Sequence, residues 1–207
     1  MPIRFSLIMI CALGLATAHA DSSEPDVLVK PCIECHGTAG VAVARGTPHL
    51  NGQLAPYLVE AMIQFRRHRR PSSVPEHIPT AYTDGQLATI AQYFSSAKAV
   101  RPKPEGIDGQ RIEAGAAIHA KRCMECHPDN GRESDKDAPL MAAQDLDYLL
   151  AQTEAFRAGK RKFAFLMDEA YRDLAQDELA SVAYFFASQD QLAPVTGKKR
   201  RKKPAAD

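Results

Sequence analysis

Long apolar runs are nearly absent from this sequence of 207 residues. Beyond the N-terminus, no run approaches the roughly 20 apolar residues that are needed to span a bilayer. Strict alternation of apolar and polar residues, which is typical of half-buried strands, is also missing, and this favours an all-α fold. There is no flavin-binding motif and no constellation of catalytic residues, so we expect that the chain is not an enzyme by itself.

The one apolar stretch near the N-terminus has the features of a secretory signal peptide, residues 1–20. Arg4 gives the positive end, residues 5–16 are largely apolar, and Ala18-His19-Ala20 is a suitable cleavage site. The stretch is too short for a membrane anchor. We therefore predict export to the periplasm, and Cys11 would leave with the signal peptide.

Removal of this peptide leaves four cysteines, all within two motifs of the form C-x-x-C-H. The motifs are CIECHGTAG, which contains Cys32 and Cys35, and CMECHPDNG, which contains Cys123 and Cys126. Exported proteins often pair their cysteines as disulfides. Here, however, no cysteine lies outside the motifs, and this placement argues for another use.

The C-x-x-C-H pattern suits covalent haem attachment, because two thiols can reach the two vinyl groups and the adjacent imidazole can bind the iron. A zinc site would place two such pairs about 15–20 residues apart, whereas these begin 91 residues apart. A redox-active dithiol would not require the histidine. We predict two covalently attached c-type haems, with His36 and His127 as iron ligands.

The sequence also repeats itself at the same offset of 91 residues, which indicates two copies of one domain. We predict domains at 21–100 and 108–193, joined by a proline-containing linker at 101–107 and followed by a basic tail at 194–207. The matching pairs include Cys32 and Cys123, Pro48 and Pro139, Gln53 and Gln144, Tyr57 and Tyr148, and Phe65 and Phe156.

Apolar residues recur at helical spacing within each copy; in the first copy they do so within 57–65 and 87–94. Thr83 and Gln86 form a plausible capping box before the second of these helices. Residues 109–121 predict a helix that leads into the second haem motif. In the first copy Pro31 adjoins Cys32, so we expect the leading helix there to be short or absent.

The sixth iron ligand differs between the copies. In the second copy Met167, 40 residues after His127, is the natural candidate. In the first copy the matching residues, Pro75 or Glu76, cannot serve, and we favour the nearby His77. The alternatives are an open iron or another side chain such as His68 or His49.

These features resemble the two-domain class I cytochromes c, which include the dihaem "c-four" carriers and the haem subunit of flavocytochrome c sulfide dehydrogenase. The similar segments are the two haem motifs, PHLNGQLAPYLVEAM with PLMAAQDLDYLLAQT, and TDGQLATIAQYFSS with AQDELASVAYFFAS. The resemblance implies that the carbonyl groups of Pro48 and Pro139 accept hydrogen bonds from the haem-binding imidazoles. It also implies His/Met ligation of both irons, a pattern that only the second copy follows.

The predicted function is that of a periplasmic cytochrome that shuttles single electrons between redox partners. A first alternative is the electron-accepting dihaem subunit of a periplasmic sulfide or thiosulfate dehydrogenase, with catalysis on the partner chain. A second is the sensing of small ligands at an open first haem. Thioether ligation raises the haem potential, so His77 ligation predicts electron flow from the first haem to the second.

The basic tail contains KKRRKK, residues 198–203. A solvated tail is the expected structural state for such a run of like charges. It is also a candidate for docking to an acidic partner or to an anionic membrane surface, with strong salt dependence. Nucleic acid is not an expected partner outside the cytoplasm.

Overall fold

The computed structural model describes residues 24–135, 138–162 and 165–191. Within these ranges the regular elements are all helical and no strand occurs. None of the helices described there is long and apolar enough to cross a membrane. The predicted signal peptide, 1–20, and the predicted tail, 194–207, lie outside the described residues.

The first half consists of α1 (Pro25–His36), α2 (Ala55–Arg66) and α3 (Asp84–Ser96). The predicted capping box at the start of α3 is confirmed: Thr83 Oγ1 accepts from the Gln86 N–H at 3.2 Å, and Gln86 Oε1 accepts from the Thr83 N–H at 2.9 Å. One apolar stripe of each helix faces the shared core. The buried core residues are Leu28, Val29, Leu58, Ile90, Ala91 and Phe94.

The leading helix in this half is present and short, as expected. The α1 helix begins at Pro25, seven residues before Cys32, whereas α4 begins at Gly109, 14 residues before Cys123. Pro31 lies inside α1, where it removes one backbone donor. The helix continues past it to His36; Leu28 and Val29 are buried on the N-terminal side of Pro31, and His36 is buried on its C-terminal side.

The second half consists of α4 (Gly109–Ile118), α5 (Pro128–Gly131), α6 (Leu146–Arg157), α7 (Phe165–Tyr171) and α8 (Gln176–Ser188). A π-helical segment, His119–Cys123, follows α4 directly and leads into the haem motif. Gly115 lets α4 approach α8 closely, since a Cβ atom there would lie 2.1 Å from the Ser181 carbonyl oxygen. The described helices end at Ser96 and resume at Gly109, on either side of the predicted linker, while the domain bounds themselves stay a prediction.

The two halves meet through a reciprocal set of buried hydrogen bonds. Gln53 Nε2 donates to the Leu140 carbonyl and its Oε1 accepts from the Leu140 N–H, both at 2.9 Å. Gln144 does the same with the His49 carbonyl and N–H, at 3.0 and 2.7 Å. Because both matches obey the 91-residue offset, the interface has pseudo-twofold symmetry.

The linker contributes to this interface rather than serving only as an extended connection. Arg101 is 7% exposed, and its guanidinium donates to the carbonyl groups of Asn51 at 2.8 Å and Ala142 at 3.2 Å. Asn51 in turn donates to the carbonyl groups of Lys98 and Val100. The start of the linker is therefore bonded to both halves.

Gln53→Ala should destabilise the protein by roughly 2–4 kcal/mol, because it leaves the buried N–H and C=O groups of Leu140 without partners. Urea unfolding of the mature protein measures this loss. Gln64→Ala is the matched control, since its side chain makes only an exposed bond to Glu60, and it should change stability by less than about 0.5 kcal/mol. Equal effects of the two substitutions would contradict the role given to Gln53.

Candidate haem sites

The first C-x-x-C-H motif occupies the last turn of α1. His36 ends that helix and is 7% exposed, and its Nδ1 lies 2.9 Å from the Pro48 carbonyl oxygen. Burial lowers the pKa of His36, so the ring is neutral at pH 7. A neutral imidazole that donates through Nδ1–H keeps the Nε2 lone pair available for a metal.

The second motif repeats this arrangement although its backbone differs. His127 is 6% exposed, and its Nδ1 lies 3.0 Å from the Pro139 carbonyl oxygen. Burial lowers the pKa of His127 to about 4. Each half thus holds a buried neutral imidazole with one fixed nitrogen, as the resemblance implies, and the assigned ligand roles stay predictions.

The four cysteines of the motifs are free thiols in this structure. Burial raises the pKa of Cys32 and that of Cys123 to about 11. Redox-active dithiols have the opposite property, a depressed pKa that supplies the thiolate. The electrostatics of the two pairs therefore argue against dithiol chemistry, in agreement with the sequence analysis.

His77 lies opposite His36 in the first half. The two ring centres are 6.1 Å apart and the ring planes differ by 17°. A metal–imidazole bond is about 2.0 Å long, so two imidazoles that bind one metal from opposite sides have their centres roughly 6 Å apart. The separation of the two ring centres thus agrees with the distance expected for one metal held between them.

The remaining nitrogen of His77 is also oriented. Its Nδ1 lies 3.0 Å from Ser72 Oγ, which also accepts from the Val74 N–H at 3.0 Å. The ring is in contact with Phe65, at 4.6 Å between centres. After the Val74 bond the hydroxyl keeps one acceptor position and its O–H donor, so its contact with Nδ1 fixes the orientation of the ring in either tautomer.

The two other histidines considered for the first iron have different surroundings. His49 is 5% exposed; its Nδ1 accepts from the Ala42 N–H at 2.9 Å, and its backbone is bonded to Gln144 across the interface. His68 is exposed, in a left-handed backbone conformation with φ 53°. The geometry favours His77 over both.

Met167 lies within α7 and is half-buried. The sequence around it shows little periodicity, so the helix was not expected there. The difference arises because α7 has only seven residues, too few for a recurring apolar pattern to be recognised. The assignment of Met167 to the second iron stays a prediction.

Sequence reasoning missed two cations at the interface between the halves, of which Arg70 is buried and Arg161 is half-buried. Arg70 donates to the Tyr148 hydroxyl, and Arg161 donates to the Tyr57 hydroxyl at 3.4 Å. Their guanidinium carbons lie 4.6 and 4.4 Å from the centres of the Phe65 and Phe156 rings. Both arginines and both tyrosines obey the 91-residue offset, which is the signal that could have revealed them.

These arginines lack an anionic partner within the described part of the chain. The Nε atoms of both are buried without a hydrogen-bond partner there. Arg70 is only 6% exposed. A buried cation without an anion is costly, so this pair of orphaned donors fits a group that brings carboxylates to the interface, as haem does with its propionates.

A second missed residue is His119, in the π-helical segment before the second motif. It is 2% exposed, and its Nε2 lies 2.9 Å from the His127 carbonyl oxygen. Its ring contacts Phe185 and Phe186 at 4.9 and 5.3 Å between centres. The first copy has Leu28 at the matching position, so only the second haem motif is braced in this way.

Comparison with known proteins gives several similar chains, while no family model matches. A thiosulfate dehydrogenase electron acceptor of Stutzerimonas stutzeri (strain A1501) is 29% identical over 175 residues, which cover 77% of this chain and 79% of that protein. Cytochrome c4 of Azotobacter vinelandii is 29% identical over 174 residues, which cover 75% of this chain and 81% of that protein.

Among solved structures, reduced recombinant cytochrome c4 from Pseudomonas stutzeri superimposes with a TM-score of 0.66 at 23% identity. The match covers 82% of this chain and 98% of that chain. The predicted fold class, all-α with two tandem cytochrome c-like domains, is thereby confirmed.

Proposed function

The chain is related to the two-domain dihaem cytochromes c of the c-four type, and from this premise we propose that it is a periplasmic electron-transfer protein with two covalent c-type haems. The observation that carries the proposal is the opposed pair His36 and His77. If both imidazoles bind the first iron, no position would be open to a small ligand, so this pair favours outer-sphere electron transfer over sensing.

The residues have distinct roles in this proposal. Cys32 and Cys35 in the first half, and Cys123 and Cys126 in the second, attach the porphyrins as thioethers. His36 and His127 bind the irons through Nε2. The carbonyl groups of Pro48 and Pro139 hold these rings in orientation and keep Nδ1 protonated.

A different residue in each half would provide the second protein ligand of its haem. His77, oriented by Ser72, would do so in the first half, and Met167 would do so in the second. When bound, each haem would supply a one-electron couple, and thioether ligation by Met167 would place the second couple at the higher potential. This order of potentials would direct electrons from the first half to the second.

Arg70 and Arg161 serve this electron path at the interface. We assign their unpartnered Nε–H groups to haem propionates, because guanidinium groups form strong charge-assisted hydrogen bonds with carboxylates. The symmetric placement gives each half one such cation. The arginines would thereby hold both haems near the pseudo-twofold axis and keep their separation fixed.

A second candidate function is the haem subunit of a periplasmic thiosulfate dehydrogenase or sulfide dehydrogenase. The relative from Stutzerimonas stutzeri, named a thiosulfate dehydrogenase electron acceptor, favours it. The residues and ligands proposed above are the same for both functions. Purification from the native host distinguishes them, since a stable complex with a catalytic chain would support the second candidate.

A spectroelectrochemical titration of the mature protein tests the main proposal. We expect two one-electron steps, the lower one from a His/His centre, and no spectral change on addition of carbon monoxide to the reduced protein. Two identical His/Met centres would contradict the ligand assignment. Binding of carbon monoxide at the first haem would support the sensing alternative instead.

A further inference from the structure

Four arginines follow one another closely at the end of α2, and two of them have side-chain partners within the described ranges. Arg66 donates to the Tyr82 carbonyl at 2.7 Å and pairs with Asp84, and Arg70 is buried at the interface. Arg67 and Arg69 are exposed, and neither forms an ion pair with another described residue. As far as the described residues go, these two cations are available to an external group.

The turn that carries Arg67 and Arg69 lies beside the cleft that contains His77, the proposed sixth ligand of the first haem. His68, between the two arginines, has φ 53°, so the backbone turns sharply there. His68, Arg70 and His77 line one cleft of about 260 Å³. Arg67 and Arg69 are the sequence neighbours of His68, so they belong to the turn that contributes to the cleft of the proposed sixth ligand.

The second half arranges its exposed charge differently. At the 91-residue offset, Arg67 corresponds to Ala158 and Arg69 to Lys160, and a second exposed cation, Lys162, lies opposite Pro71. Residues 24–100 contain 7 basic and 6 acidic residues, a net charge of +1, whereas residues 101–191 contain 12 basic and 17 acidic residues, a net charge of −5. The first half is therefore the one whose overall charge favours an acidic partner.

We propose that Arg67 and Arg69 form a docking surface for the acidic face of a protein that delivers electrons to the first haem. The inference rests on the proposed function, because a docking site is useful where the lower-potential centre receives electrons. One electron leaves the reduced donor and reduces the ferric first centre, and no bond is made or broken. Complementary charge accelerates such encounters and makes them salt-dependent.

The test compares two charge-reversal variants of the mature holoprotein. Arg67→Glu with Arg69→Glu alters the proposed surface. Lys160→Glu with Lys162→Glu makes the same change in charge at exposed positions of the second half. Reduced flavodoxin, an acidic one-electron protein, is the donor, and stopped-flow absorbance follows reduction of the first haem. Both variants retain residues 198–203, so any contribution of that segment is common to them.

At an ionic strength of about 10 mM, the arginine variant should react roughly 10-fold more slowly than the wild type, and the lysine variant less than about 2-fold more slowly. The difference should disappear at about 0.5 M salt. Equal slowing of both variants, no slowing of the arginine variant, or a wild-type rate independent of salt would overturn the proposal.

Reduction by the neutral semiquinone of lumiflavin separates this inference from the proposed function. All three proteins should react with that small neutral donor at rates within about 2-fold of each other, because it experiences little long-range steering. A first centre that cannot be reduced by lumiflavin would contradict the electron-transfer function itself. Normal reduction by lumiflavin, with unchanged flavodoxin rates in the arginine variant, would contradict only the docking surface.

Discussion

Replacement of both Cys32 and Cys35 by alanine should yield a protein with one covalent haem instead of two. The two thiols are the only attachment points that we assign to the first haem, while the second motif is untouched. Intact mass spectrometry of the matured protein should show the loss of one haem, and the Soret absorbance should fall to about half. The first half should also lose stability, since its helices would then lack the haem between them.

Two variants serve as controls for this experiment. Cys123→Ala with Cys126→Ala should also retain one haem, but it should retain the His/His spectrum instead of the His/Met spectrum. Cys11→Ala should keep both haems, because Cys11 lies in the predicted signal peptide. Retention of two covalent haems after loss of Cys32 and Cys35 would refute the attachment site.

His77→Met should raise the potential of the first haem, because a thioether stabilises ferrous iron more than an imidazole does. The expected rise is roughly 0.1–0.2 V, part of the range of about 0.8 V that axial ligands set. Spectroelectrochemistry of the mature protein measures it. Because the two centres would then have similar ligands, the two steps of the titration should approach each other.

The neighbouring residues supply controls for this substitution. Ser72→Ala removes the hydroxyl that orients His77 and should shift the same potential by a smaller amount, without loss of His/His ligation. His68→Met should leave the potential within about 0.03 V of the wild type, since axial ligation dominates the potential. If the His68 variant changed its iron ligation and the His77 variant did not, His68 and not His77 would be the sixth ligand of the first haem.

Helical periodicity and the repeat were sufficient to predict several parts of the fold. The apolar spacing of 87–94 and the Thr83 cap placed α3, and the 91-residue offset indicated two equivalent halves. The part of α1 that precedes Cys32 is short, as Pro31 led us to expect. Its continuation through Pro31 to His36 was not predicted, because Pro31 disfavours a helix locally while burial of Leu28 and Val29 in the tertiary structure stabilises it.

The contacts between the halves could not be derived in the same way. A repeat shows that Gln53 and Gln144 are equivalent, but it does not show that each reaches across the interface to the other half. The same holds for Arg70, which stands in a run of basic residues, a setting that is usually exposed to solvent. Its burial depends on Tyr148, 78 residues away in sequence. The residues of the two C-x-x-C-H motifs could be recognised from the sequence, because two thiols and an imidazole within five residues indicate haem attachment.

The low-temperature electron paramagnetic resonance spectrum of the oxidised mature protein tests the central claim most directly. We expect two low-spin ferric signals of equal intensity, one from nearly parallel imidazoles and one from a His/Met iron. The 17° angle between the His36 and His77 rings implies the rhombic spectrum of parallel ligand planes for the first. Two superimposable His/Met signals, or a high-spin signal from an open iron, would contradict it.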